Sequence, residues 1–92
     1  MMQGLLKDYL GETPATVSSI KQHCQQRDPG ELARRAHKLA GVSASLGAAG
    51  VAHVCRRIEQ RAHHGDLDAM PALIDELEMR FARTRVEFQK LA

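Results

Sequence analysis

Five histidines, at positions 23, 37, 53, 63 and 64, are spread along this 92-residue chain. Imidazole is the side chain best suited to carry chemistry near neutral pH. One of the five, His37, has unusual surroundings. On a helix its surface neighbours are positions 33, 34, 40, 41 and 44. These are Ala33, Arg34, Ala40, Gly41 and Ala44, so four of the five carry a methyl group or nothing. A glycine inside a helix costs ~1 kcal/mol relative to alanine, so Gly41 calls for a reason. Clearing the side chains around one imidazole leaves it standing on a flat surface that a partner can approach closely, and a neutral imidazole there is a competent nucleophile. The alternative is that the small residues serve close helix packing. That alternative leaves the histidine unexplained, because an imidazole is costly to bury without partners.

Other constellations point to rival chemistry. His63, His64, Glu59 and His53 gather towards one helix end, and Glu59 and His63 have the i, i+4 spacing of a ligand pair, which allows a metal-binding helical bundle. No partner motif elsewhere in the chain completes such a site. Arg34, Arg35, Arg56, Arg57 and Arg61 form a basic docking face that suits a purely structural interaction module. Cys24 and Cys55 lie inside helical patterns without a Cys-x-x-Cys motif and read as reduced core thiols of a cytoplasmic protein. There is no glycine-rich phosphate loop or other nucleotide-binding segment, so the chain is expected not to be a kinase. With 13 basic and 11 acidic residues the net charge is only +2, too balanced for nucleic-acid binding to be the default. No apolar run approaches the ~18 residues of a membrane span, and the N-terminus lacks the layout of a signal peptide.

These side chains need elements to hold them. Hydrophobic residues make up 43% of the chain but aromatics only 3%, so the core must be built from Leu, Ile, Val, Met and Ala. Ala and Leu favour helix, and β-branched residues are sparse. Leu5, Leu6, Tyr9 and Leu10 predict a short helix over 3–10 that Gly11 ends. Thr13 as N-cap and Pro14 in the first turn open a second helix over 14–27, with Val17, Ile20 and Cys24 inward. Asp28-Pro29-Gly30-Glu31 is the clearest start signal. It opens a helix with Leu32, Ala36, Leu39, Ser43 and Leu46 inward and Gly47 as its stop. The next helix covers about 48–64, with Val51, Cys55, Ile58 and Ala62 inside and Gly65 at its end. Asp66 or Asp68 caps the last helix, which carries Pro71 in its first turn. It runs to about residue 90 with Met70, Leu73, Leu77, Phe81, Thr84, Phe88 and Leu91 inward. The expected fold is all-α: an up-down antiparallel four-helix bundle with a short extra N-terminal helix, forming one domain over 1–92.

The segment Ala36 to Ala48 resembles the phosphorylation-site helix of bacterial histidine phosphotransfer (HPt) domains, whose pattern is His-x-Leu-Lys-Gly, then small residues, then a Gly-Ala-like end. His37, Leu39, Gly41, Ser43, Leu46 and Gly47 match it. Cys55-Arg56-Arg57-Ile58-Glu59 matches the Cys-x-x-Leu/Ile-Glu segment of the family's next helix, and the resemblance spans about residues 5–90. It implies that His37 accepts a phosphoryl group on Nε2 from a phospho-aspartate and passes it on within a multistep phosphorelay. The partner it implies is the receiver domain of a response regulator or hybrid sensor kinase. That receiver brings the Mg²⁺, while this chain is expected to be a monomer and to hold no cofactor. Ala40 departs from the pattern, since the family usually has Lys there; Arg34 and Lys38 are the candidates to supply the missing cation. Glu59 falls where the family often places a residue that hydrogen-bonds the imidazole; its alternative is a surface carboxylate paired with Arg56 or His63. The phosphoacceptor helix of a sensor kinase is set aside, because it usually has an acidic residue after the His and a Pro five residues on, where this chain has Lys38 and Val42.

Overall fold

The computed structural model describes residues 2–91. Four helices follow one another: α1 (Met2–Gln25), α2 (Pro29–Ser45), α3 (Ala49–His63) and α4 (Met70–Gln89). Each packs on the next and α1 closes the ring against α4, which leaves α1 opposite α3 and α2 opposite α4 across the core. Links of a few residues leave consecutive helices no room to run parallel, so the bundle is up-down and antiparallel. It is elongated, 38 × 20 × 18 Å.

The separate N-terminal helix expected from the sequence is absent: α1 runs unbroken through Gly11 and Pro14. The reason is a stripe hidden by reading Thr13 as a cap. Leu6, Tyr9, Thr13, Val17 and Ile20 are all buried, at spacings of three and four that continue straight through both breakers. Gly11 and Pro14 lie on the exposed side. Thr13 Oγ1 donates back to the Tyr9 carbonyl at 2.6 Å instead of capping a new helix. Burial of a shared face thus outweighs local penalties of ~1 kcal/mol for the glycine and ~3 kcal/mol for the proline.

The remaining boundaries follow their signals with two exceptions. Asp28 caps α2 by accepting from the Glu31 amide at 3.2 Å, with Pro29 in the first turn. Neither Asp66 nor Asp68 caps α4, whose N-cap is Ala69 without a side-chain bond; Asp66 instead accepts from Arg61 at 3.0 Å. Leu91, expected inward, is 63% exposed because α4 has already ended at Gln89. The inner stripes otherwise hold: Leu32, Ala36 and Leu39 of α2, Val51, Cys55 and Ile58 of α3, and Leu73, Leu77 and Phe81 of α4 form one core. Both cysteines are free, but only Cys55 is a core thiol; Cys24 is half-buried.

Three helices end in the same hydrogen-bonded closure. The residue after the cap bonds back to the carbonyl three before it, and the next amide reaches the carbonyl five before. Gly47 and Gly65 hold the left-handed position in two of them with φ of 85° and 70°. In the third, Arg27 holds it with φ of 54°. A side chain there costs roughly 1–2 kcal/mol that glycine avoids. Arg27→Gly is therefore expected to stabilise the fold by about 0.5–1 kcal/mol once glycine's greater unfolded freedom is subtracted. A urea melt with an unchanged or lower midpoint would refute this.

Burial also sets an alkaline limit. Desolvation pushes the Cys55 thiol up from 9.0 to about 12. Its folded value is raised, so its contribution to stability is intact below pH ~9 and is lost as pH rises towards 12. At pH ~11 that loss is about 2–3 kcal/mol. Denaturant melts from pH ~8 to ~11 should fall more steeply for the native protein than for Cys55→Ala; parallel curves would show that the thiol does not titrate late.

Candidate functional site

α2 presents His37 near its middle, between the inward residues Ala36 and Leu39 and on the outer side of the helix. Its side chain is 75% exposed. Across the α2–α3 seam, Glu59 Oε2 lies 3.0 Å from His37 Nδ1. A carboxylate accepts hydrogen bonds, so Nδ1 carries the proton and Nε2 keeps its lone pair. The geometry orients the ring through Nδ1 and leaves Nε2 as its free nitrogen. Glu59 is only 22% exposed, held between the helices, and its Oε2 is also 3.6 Å from His63 Nε2. The surface-pair alternative for Glu59 is half right: it pairs with His63, not with Arg56, and it reaches His37 as well.

The cleared surface is narrower than the sequence implied. Ala33 and Ala40 are 4% and 3% exposed and belong to the core. Their methyl groups serve packing between helices, the alternative reading of this alanine-rich stretch. Ala40 therefore does not flank the imidazole on the surface, and the lysine usual there in the resembling family would leave from a buried Cβ and reach solvent only along its stem. Gly41 and Ala44 do lie on the surface, and a Cβ built at Gly41 meets nothing within 4 Å.

Of the two candidate cations, Arg34 is committed elsewhere: it donates to Glu31 Oε2 at 2.9 Å, a contact that lowers the Glu31 pKa. Lys38 enters no ion pair among the described residues and lines the same open groove as His37. That groove runs between α1 and α2, with Leu5, Gly41, Val42 and Leu46 along it. Leu5 and Val42 are 58% and 45% exposed. Sequence reasoning missed this apolar border, having turned Leu5 inward and left Val42 unassigned. The signal was present in the four-residue steps of Lys38, Val42 and Leu46 along one edge of α2.

Beneath the groove Tyr9 ties three helices together. Its hydroxyl shares a 2.7 Å hydrogen bond with Ser43 of α2, and its ring meets Phe81 and Phe88 of α4 at centroid distances of 6.0 and 5.9 Å. Burial raises the Tyr9 pKa, opposed by the Ser43 bond. The buried hydroxyl pair fixes the rotation of α2 about its axis and so the direction in which His37 points.

The residues behind the rival readings are dispersed. His64 Nδ1 donates to the Gln60 carbonyl at 2.7 Å, His53 is exposed, and no group of three or more metal-ligating side chains forms among the described residues. Within the basic face, Arg34 and Arg35 share Glu31, Arg57 pairs with Glu76, and Arg61 pairs with Asp66. No helix is long and apolar enough to cross a membrane.

Comparisons with known proteins agree with this fold. Residues 4–87 match the Hpt domain family. No curated protein sequence matches the chain significantly. Among solved structures, the chain is similar to the histidine-containing phosphotransfer protein B (HptB) of Pseudomonas aeruginosa PAO1, at 31% identity and a TM-score of 0.92, over 96% of this chain and 76% of that one. A four-helix bundle with an outward imidazole, and a family match along nearly its whole length, make this chain a member of the Hpt domain family, the histidine phosphotransfer modules of two-component phosphorelays.

Proposed function

We propose that His37 is the phosphoryl acceptor of this module. The observation that carries the proposal is the 3.0 Å contact of Nδ1 with Glu59 on a ring that is otherwise three-quarters exposed. Nε2 attacks the phosphorus of an aspartyl phosphate in line. The new N–P bond forms as the bond to the aspartate oxygen breaks, and its electron pair leaves with the carboxylate. Nδ1 keeps its proton, so the ring becomes a phospho-imidazolium, and the Glu59 carboxylate faces the positive charge as it develops. The reverse steps hand the group to a second aspartate.

The donor and acceptor are receiver domains of response regulators or hybrid sensor kinases, in the cytoplasm. They dock on the groove beside His37, where Leu5, Val42 and Leu46 give an apolar border and Gly41 lets the partner backbone come close. Lys38, unpaired on the same groove, takes the place of the cation missing at Ala40 and meets the phosphoryl oxygens. The Mg²⁺ of the reaction belongs to the receiver. The carboxylate beside His37, that of Glu59, faces two imidazoles, and on this reading the chain acts as a monomer and brings no cofactor or nucleotide of its own. Phosphoryl transfer asks of it only position and charge.

The test is incubation with a phosphorylated receiver domain, followed by electrophoresis under conditions that preserve acid-labile phosphohistidine. Label on His37, located by mass spectrometry, is expected. Absence of label, or label on another histidine, would overturn the assignment. A receiver that binds without transferring would favour the phosphorylation-independent module.

A further inference from the structure

The Glu59 carboxylate serves two imidazoles from one oxygen. Oε2 accepts from His37 Nδ1 of α2 at 3.0 Å and lies 3.6 Å from His63 Nε2, one turn further along α3. We propose that His63 is a positioning residue for phosphoryl transfer, acting on His37 through Glu59. The inference deepens the reading of His37 as phosphoryl acceptor and rests on it.

Neutral His63 leaves the full charge of Glu59 facing His37. Protonated His63 turns towards the same oxygen, neutralises it and competes for its lone pairs. The phospho-imidazolium formed at His37 then loses part of its counter-charge, and phosphoryl acceptance slows. Proton concentration is thereby read at a residue that never touches the phosphoryl group.

Most other charged groups around the pair are held elsewhere; Lys38, beside His37, enters no ion pair among the described residues and lines the groove between α1 and α2. From α2, Arg34 lies one turn before His37 and is held by Glu31. From α4, Glu76 faces α3 but is shared by Arg57 and Arg80. On α3 itself Arg61 is held by Asp66, and His64 bonds to the Gln60 carbonyl. Arg56, three residues before Glu59, is exposed and makes no ion pair among the described residues. α1 lies diagonally across the bundle from α3. Among the described residues, His37 and His63 are the basic side chains within 4.0 Å of the Glu59 carboxylate, which places His63 to compete with His37 for it.

The coupling of one exposed i, i+4 pair is small, about two-fold in rate. The experiment uses phosphoramidate as the donor, so that no receiver is needed, and follows His37 labelling from pH ~5.5 to ~8.5. In the donor step Nε2 attacks phosphorus and ammonia leaves with the electrons of the P–N bond. Donor reactivity itself changes with pH, so the informative quantity is the ratio of His63→Gln to native rates. That ratio should be near one at the alkaline end and rise to about two at the acid end. His63→Arg, a permanent cation, should be slower than native at the alkaline end. With Glu59→Gln as background, replacing His63 should change nothing. A ratio that stays constant with pH, or a His63 effect that survives in the Glu59→Gln background, would overturn the proposal while leaving His37 as acceptor. A native protein that takes no label at His37 would overturn the acceptor reading and this inference with it. His63 is 64% exposed, so melting temperatures should agree among the variants.

Discussion

His37→Gln should abolish phosphoryl acceptance and leave the melting temperature within about one degree of the native protein. Loss of the acceptor is complete because no neighbouring side chain takes over: Glu59 is on the Nδ1 side, Lys38 is a cation, and Gly41 offers nothing. The fold is spared because the ring is 75% exposed and fills no cavity. Its one bond, to Glu59, is replaceable by the glutamine amide, and exposed pairs contribute ~0–1 kcal/mol. Retained labelling of the variant would move the acceptor to another histidine. A fall of several degrees would show that the imidazole supports the α2–α3 seam as well.

Gly41→Leu should leave the fold intact and cut transfer from a receiver about ten-fold or more. On the structural side, a Cβ at position 41 meets nothing within 4 Å, and glycine to leucine in mid-helix gains ~0.5–1 kcal/mol of helix propensity. On the functional side, the isobutyl group stands one turn after His37 in the groove proposed for partner docking. A loss of ten-fold corresponds to about 1.4 kcal/mol of docking free energy, modest for a blocked contact, and small misplacements at a reacting centre cost more. Labelling by a small phosphoryl donor should be nearly unchanged, because it needs no docking. If transfer from the receiver is unaffected while the protein becomes more stable, Gly41 has no part in approach.

The helices of this protein were legible wherever an apolar stripe and a capping signal agreed. Asp28-Pro29 and Gly47 bracket α2 as expected, and the acceptor candidate follows from that helix alone. The failures came where a local signal and burial disagreed. At Thr13-Pro14 the start signal is genuine chemistry, yet Thr13 is inside the bundle and the stripe from Leu6 to Ile20 overrides it. At Ala33 and Ala40 a surface role was inferred from small size, but small residues are also what two close helices need, and helical neighbourhood does not say which side of the stripe a residue falls on. Ala40 sits one position after Leu39 and joins the buried side with it. The Glu59 contact was visible only as an ambiguity, because its partner is 22 residues away and the choice depends on the register of α3 against α2. The groove on α1 was out of reach for the same reason: Leu5 looks like any other leucine until α1 is known to be one helix.

The groove beside His37 has a kinetic consequence for the docking proposed above. One imidazole borders one landing place, so the giver and the taker of the phosphoryl group must use the same ground in turn. On that reading the module is a ferry rather than a bridge, and ping-pong kinetics are expected: no ternary complex forms, and an excess of unphosphorylated receiver slows delivery by occupying the landing. Direction of traffic then follows mass action, from the side rich in aspartyl phosphate to the side where it is scarcer.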